Sequence, residues 1–159
     1  MLLLGKFYIL ASFSLFSASV ANATDQPDLG GFMLGGSFEA AQQHALEQKW
    51  KLVHLSDNLP GQWVVEEANL SLFVCNGIVT SVAEQLEGEL EEFAALVFTM
   101  QLEFGKPDIQ ILSIPSGIGI ISTIDARFDT NNGGATVQLQ SIGGERTFSE
   151  SHWINTECN

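Results

Sequence analysis

Asn76-Gly77, set between the β-rich runs 70–75 and 78–82, constrains the fold of this chain more than any other pair of residues. Both residue types tolerate positive φ, so the pair predicts a type I′ turn joining two antiparallel neighbours. In the run 70–75, alternation sends Leu70, Leu72 and Val74 one way and Ser71, Phe73 and Cys75 the other. One side of this hairpin therefore needs an apolar cover, and the segment before it supplies one. Ser37 reads as a helix N-cap, followed at helical spacing by Phe38, Ala41, Ala45 and Leu46, with Glu39, Gln42, Gln43 and Glu47 on the outer face. This helix is expected to reach about Lys49. Strand signals at 51–55 and 63–66, separated by the turn-rich 56–61, link it to the hairpin.

The pattern then recurs. A second helix opens in the acidic stretch Glu87, Glu89, Glu91 and Glu92, and Gly105 and Pro107 close it. Leu90, Phe93, Ala94, Val97, Phe98 and Met100 make it apolar on more than one face. Such a helix is expected to be covered on most sides and central to the core. Strand signals at 109–114, 118–128 and 135–142, with a short one at 146–149, complete an antiparallel meander. In 118–128 one face carries Ile118, Ile120, Ser122, Ile124, Ala126 and Phe128. The other carries Gly119, Ile121, Thr123, Asp125 and Arg127. The predicted class is α+β, two helices packed on one face of an antiparallel sheet. Residues 37–159 read as one compact domain, with 24–36 as a flexible leader in which Phe32-Met33-Leu34 can add a short edge strand. Helix followed by four strands, twice, suggests a tandem duplication with halves 37–86 and 87–159. Residues 38–50 can be laid on 93–105 at an offset of 55, and chance similarity is the alternative.

Residues 1–23 give an address. One positive charge by Lys6, an apolar run over 7–20 and the small-x-small Ala21-Asn22-Ala23 predict a cleavable signal peptide and a periplasmic or secreted product starting at Thr24. An uncleaved N-terminal anchor is the rival. The apolar run is short and serine-rich for a membrane span, so no stable insertion is expected after cleavage. Cys75 and Cys158 are then expected to pair as a disulfide, since an oxidising compartment favours bridges and no Cys-x-x-Cys redox pair exists. Cleavage at that point leaves 136 of the 159 residues, with five bases against 19 acids, a formal charge of −14. A chain this acidic is a poor ligand for nucleic acid or anionic lipid. Its charge serves solubility or a basic partner.

The helix leading into Glu103-Phe104-Gly105-Lys106-Pro107 and a strand, together with Phe32-Met33-Leu34-Gly35-Gly36-Ser37-Phe38, resembles the helix-plus-sheet modules of the SmpA/OmlA outer-membrane assembly lipoproteins and of the tandem-module β-lactamase inhibitor protein. The similar segments cover about a third of the chain after residue 23. The resemblance implies a binding scaffold rather than an enzyme. It carries over no site residues, and the lipoprotein cysteine is missing.

No catalytic, metal-binding or cofactor residue is assigned. His44, His54 and His152 form no His-x-His or His-x-x-x-His pair. Asp129-Thr-Asn131-Asn-Gly133 starts like a calcium loop, but Gly133 and Gln140 stand where that loop needs an oxygen ligand and a bidentate Glu. A hairpin turn accounts for it. Ser149 and Ser151 neighbour His152 only in sequence, and strand neighbours point to opposite faces. The acidic run from Glu84 to Glu92 can serve as a cation-binding or docking surface, and complementing the helix dipole is its plainer role. Trp50, Trp63 and Trp153, each at an element boundary, are the candidate recognition residues, with core capping as the plainer role. Three functional readings follow: a non-catalytic protein-binding or envelope-assembly module, an acidic inhibitor of a basic hydrolase such as a lysozyme, and a small carboxylate-dependent hydrolase.

Overall fold

The computed structural model describes residues 28–158. The signal peptide expected over 1–23 and the first leader residues, 24–27, lie outside the described residues. Along the chain run β1 (Asp28–Leu29), β2 (Phe32–Met33), α1 (Phe38–Glu47), β3 (Lys51–His54), β4 (Gln62–Glu66), β5 (Leu70–Cys75) and β6 (Ile78–Leu86). Then come α2 (Leu90–Phe104), β7 (Asp108–Ser116), β8 (Gly119–Thr130), β9 (Gly133–Ile142) and β10 (Glu145–Ile154). The class is α+β. Eight strands form one antiparallel sheet in the order β3-β4-β5-β6-β10-β9-β8-β7, and β1 and β2 pair separately.

Each local signal has a visible cause. Asn76 and Gly77 take φ of 52° and 76° and close the β5–β6 hairpin as a type I′ turn requires. Ser37 caps α1, its hydroxyl accepting from the Ala40 N–H at 3.2 Å. Ser37→Ala should cost about 1 kcal/mol in a urea unfolding titration. A loss below a few tenths would mean that solvent replaces the cap. In α2 the cap is reciprocal: the Glu89 N–H donates to Glu92 Oε2 at 2.8 Å, while the Glu89 side chain accepts from the Glu92 backbone. The Glu89 N–H holds the Glu92 carboxyl below the usual carboxylate range.

Both helices cover the same face of the sheet. The register runs Val65↔Leu70 and Leu72↔Val82, then Val82↔His152↔Ala135↔Phe128, and opposed residues share a face. On this face Ala41 and Ala45 of α1 pack with Val65, Leu72, Val79 and Val82. Phe93 and Met100 of α2 pack with Ala126, Phe128, Val137 and Phe148. A bulge between Phe73 and Val74, where the Thr80 hydroxyl donates to the Phe73 carbonyl at 3.2 Å, keeps Val79 on the covered side.

Three expectations need correction. Residues 28–36 are not a loose leader, because Phe32 and Leu34 are among the most buried side chains and belong to the first cluster. β1 and β2 turn through Gly30-Gly31 to bring them there. Nor is α2 central. It packs through Phe93 and Met100, with Leu96, Val97 and Phe104 half-buried beside them, and leaves Phe98 63 % and Leu102 74 % exposed. The strands β6 and β10 run further than expected, to Leu86 and Ile154, because each is the other's neighbour across the centre of the sheet. That long-range pairing leaves no local sequence signal.

Cys75 and Cys158 form a disulfide with Cα atoms 5.5 Å apart. The tail after β10 passes the start of β6 to reach the end of β5, so the bridge spans the β6–β10 seam. Asn76 supports the tail, its side-chain N–H donating to the Glu157 carbonyl at 3.4 Å. Among the described residues, no helix is long and apolar enough to cross a membrane.

Candidate functional site: an uncovered sheet face

Opposite the helices, the sheet presents a face on which no described element packs. Its central row runs across the strands as Val53–Val64–Ser71–Ala83–Ser151–Thr136–Arg127–Asp108. The middle four, on β5, β6, β10 and β9, are small. A flanking row, Gln62–Phe73–Ser81–Trp153–Gly134, adds two aromatic rings. The other flank, Gln85–Ser149–Gln138–Asp125–Gln110, is mostly amide and hydroxyl. Small side chains between larger ones leave a trough over β4, β5 and β6. Two depressions of about 470 and 210 Å³ lie side by side there and share Val64, Ser71 and Ala83.

The small central side chains carry no charge, and Glu66, Glu67 and Glu84 line one end of the larger depression. Several charged groups towards the margins of the face are occupied: Lys51 with Glu66 at 3.3 Å, Arg127 with Asp129 at 2.9 Å, and Asp125 accepting from Gln138 at 2.8 Å. Further acids lie on the helices. Glu39 and Glu47 lie on α1, and Glu89, Glu91 and Glu92 at the start of α2, where Arg146 binds Glu89. That pairing holds the Arg146 guanidinium above its ordinary pKa. The acidic run thus has structural work as a helix cap.

The three tryptophans separate. Trp50 packs with Phe32 at 6.2 Å and Trp63 with Phe38 at 4.7 Å, both within the first cluster on the helix side. Trp153 alone lies on the uncovered face, near the end of β10, with the Arg127 guanidinium 4.6 Å from its ring centre. Gly134 leaves it room, since a Cβ there would meet the Trp153 ring at 2.6 Å. Sequence reasoning missed Ser71, Ala83, Ser151 and Thr136, because their alignment exists only once β6 and β10 pair.

The polar candidates do not assemble a reactive centre. His44 Nε2 bonds the Gly30 carbonyl at 2.8 Å, and His54 stands edge-on to Trp63 at 5.1 Å. His152 meets Glu150 at 2.6 Å on the helix side, with 8 % and 16 % of the two side chains exposed. Ser149 and Ser151 point to the other face, so neither reaches His152. Asp129, at the β8–β9 hairpin, accepts from the Arg127 guanidinium. Among the described residues, no three His, Cys, Asp or Glu side chains gather as metal ligands. Comparison with protein-family models, curated proteins and solved structures gave no match for this chain.

Proposed function

We propose that the chain is an exported, non-catalytic protein-binding module of the envelope-assembly kind, acting through the uncovered sheet face. One observation carries the reading: a broad face with a trough of small side chains at its centre, Phe73 and Trp153 beside it and Glu66, Glu67 and Glu84 at one end, opposite a face that two helices close. A protein surface can bury such small and amide-rich side chains without stranding a charge. The resemblance to SmpA/OmlA and β-lactamase-inhibitor-type modules points the same way. The mirrored strand order about the β6–β10 seam supports a tandem duplication of a helix-plus-four-strand unit. The disulfide fits an oxidising periplasmic or extracellular setting.

The second reading, an inhibitor of a basic hydrolase, rests on the formal charge of −13. Because α1 and the start of α2 carry Glu39, Glu47, Glu89, Glu91 and Glu92, that reading predicts a contact through the helix side and association that slows as salt rises.

The test is affinity capture by the tagged protein from the envelope fraction of its source, repeated with Ser71→Arg. Arginine would fill the trough from an exposed position. Loss of at least about 100-fold in affinity for the captured protein is expected, with unfolding free energy changed by no more than about 0.5 kcal/mol. Equal capture by both forms removes the face from the binding site. Binding to lysozyme that Ser71→Arg leaves intact and salt abolishes would favour the inhibitor reading.

A further inference from the structure

The two edges of the sheet are unlike. β3 is four residues long and carries the Lys51–Glu66 ion pair beside it, a short charged edge of the sort that resists further pairing. β7 is nine residues long, nearly all of it exposed, and from Ile109 to Thr123 the hairpin it begins has no charged residue. Ile109, Ile111, Leu112, Ile114, Ile118 and Ile120 are all exposed, Ile111 at 75 %. Ile109, Ile111 and Ile120 lie on the helix side of the sheet and Leu112 and Ile114 on the other, so the aliphatic surface wraps around this edge.

The hydrogen-bonding direction of this edge can be derived. The Ile120 carbonyl accepts from the Gly143 N–H, so Ile120 directs its polar backbone groups away from β7. Its partner Pro115 therefore occupies a non-hydrogen-bonded position, with its ring nitrogen on the free edge, where a missing N–H costs nothing. Alternation then places the N–H and C=O of Ser113, Ile111 and Ile109 on the free edge too.

From this geometry we infer that β7 pairs antiparallel with the β7 of a second copy of this chain, about a two-fold axis at Ile111. Ile111 faces Ile111, and Ile109 faces Ser113, each facing pair exchanging both backbone bonds. Pro115 falls opposite Pro107, so the ladder stops where donors run out. Asp108 falls opposite Ile114, so no carboxylate faces another although each chain is strongly acidic. Another extended segment could use the same edge, but the symmetric placement of the prolines and the absence of charge suit this chain itself. An isologous contact joins the two sheets into one and brings the β7 side chains of both copies together on each face. It also leaves only the short, charged β3 edges open.

Sedimentation velocity on the disulfide-intact chain, over a concentration series, tests this. A reversible dimer is expected in the micromolar range. Ile111→Lys brings two ammonium groups together at the axis and should weaken dimerisation by at least about 100-fold. Gln42→Lys, on the exposed face of α1, adds the same charge and should leave it unchanged. Circular dichroism checks that both variants fold. A wild-type chain that stays monomeric throughout the series overturns the inference, as does a dimer that survives Ile111→Lys in a folded protein. Capture through the uncovered face can succeed or fail independently of either result.

Discussion

Replacing Cys75 and Cys158 together by serine is expected to lower the unfolding free energy by about 4.5 kcal/mol, the chain-entropy value for a bridge closing so long a loop. The residues are 83 apart in sequence. A loss of this size is a third or more of the stability of an ordinary domain, and amounts to roughly 15 °C in Tm. Position in the fold enlarges its meaning. Everything from β6 to the end of β10 lies inside the loop, so the bridge restrains the whole second helix-and-sheet set against β5. Without it, the sets remain joined by the β6–β10 ladder, from Phe148↔Leu86 to Trp153↔Ser81. The variant should therefore fold, with the tail beyond Ile154 losing protection first. Urea unfolding of the oxidised, reduced and double-serine forms measures the effect. A difference below about 1 kcal/mol would mean that the denatured chain already holds these ends together.

The part of the fold that could be read in advance was the local part. Asn76-Gly77, Ser37 and Gly105-Lys106-Pro107 each place a turn, cap or stop through their own backbone preferences, and the structure uses them so. Alternation in 70–75 assigned the correct side to Leu70 and Leu72 for the same reason. What was hidden depends on distant partners. No residue in β6 announces that its neighbour is β10, yet that seam makes one sheet out of two meanders and aligns Ser71, Ala83, Ser151 and Thr136. The apolar content of α2 was misleading, because burial is set by what stands opposite. Below Phe93 lies the sheet; beside Phe98 and Leu102 no described element stands. Among the tryptophans, the position of Trp50 and Trp63 was decided by Phe32 and Phe38. Only Trp153, on the long strand β10, was left facing outward.

Phe32→Ala is expected to cost about 3–5 kcal/mol, the usual penalty for emptying the site of a fully buried aromatic ring. Gly30-Gly31 is a pair that would ordinarily mark loose chain. Both take positive φ, at 62° and 82°, and turn β1 back on β2. Here the absence of a side chain also permits close approach: a Cβ on Gly31 would meet the His44 ring at 2.6 Å. His44 Nε2 in turn bonds the Gly30 carbonyl, fixing the turn over α1. The result drives Phe32 edge-on against His44 at 4.9 Å and parallel to Trp50, leaving it 1 % exposed. Met33, its neighbour in β2, points outward at 66 % exposure. Met33→Ala should accordingly change stability by no more than about 0.5 kcal/mol. The contrast between adjacent residues of one two-residue strand is the test, since a general weakness of this segment would affect both alike. Equal, small losses would show that the hairpin rests on the domain without belonging to its core. A large loss confined to Phe32→Ala would mean that the folded unit includes the β1–β2 hairpin, and that the first helix needs this hairpin to close its cluster.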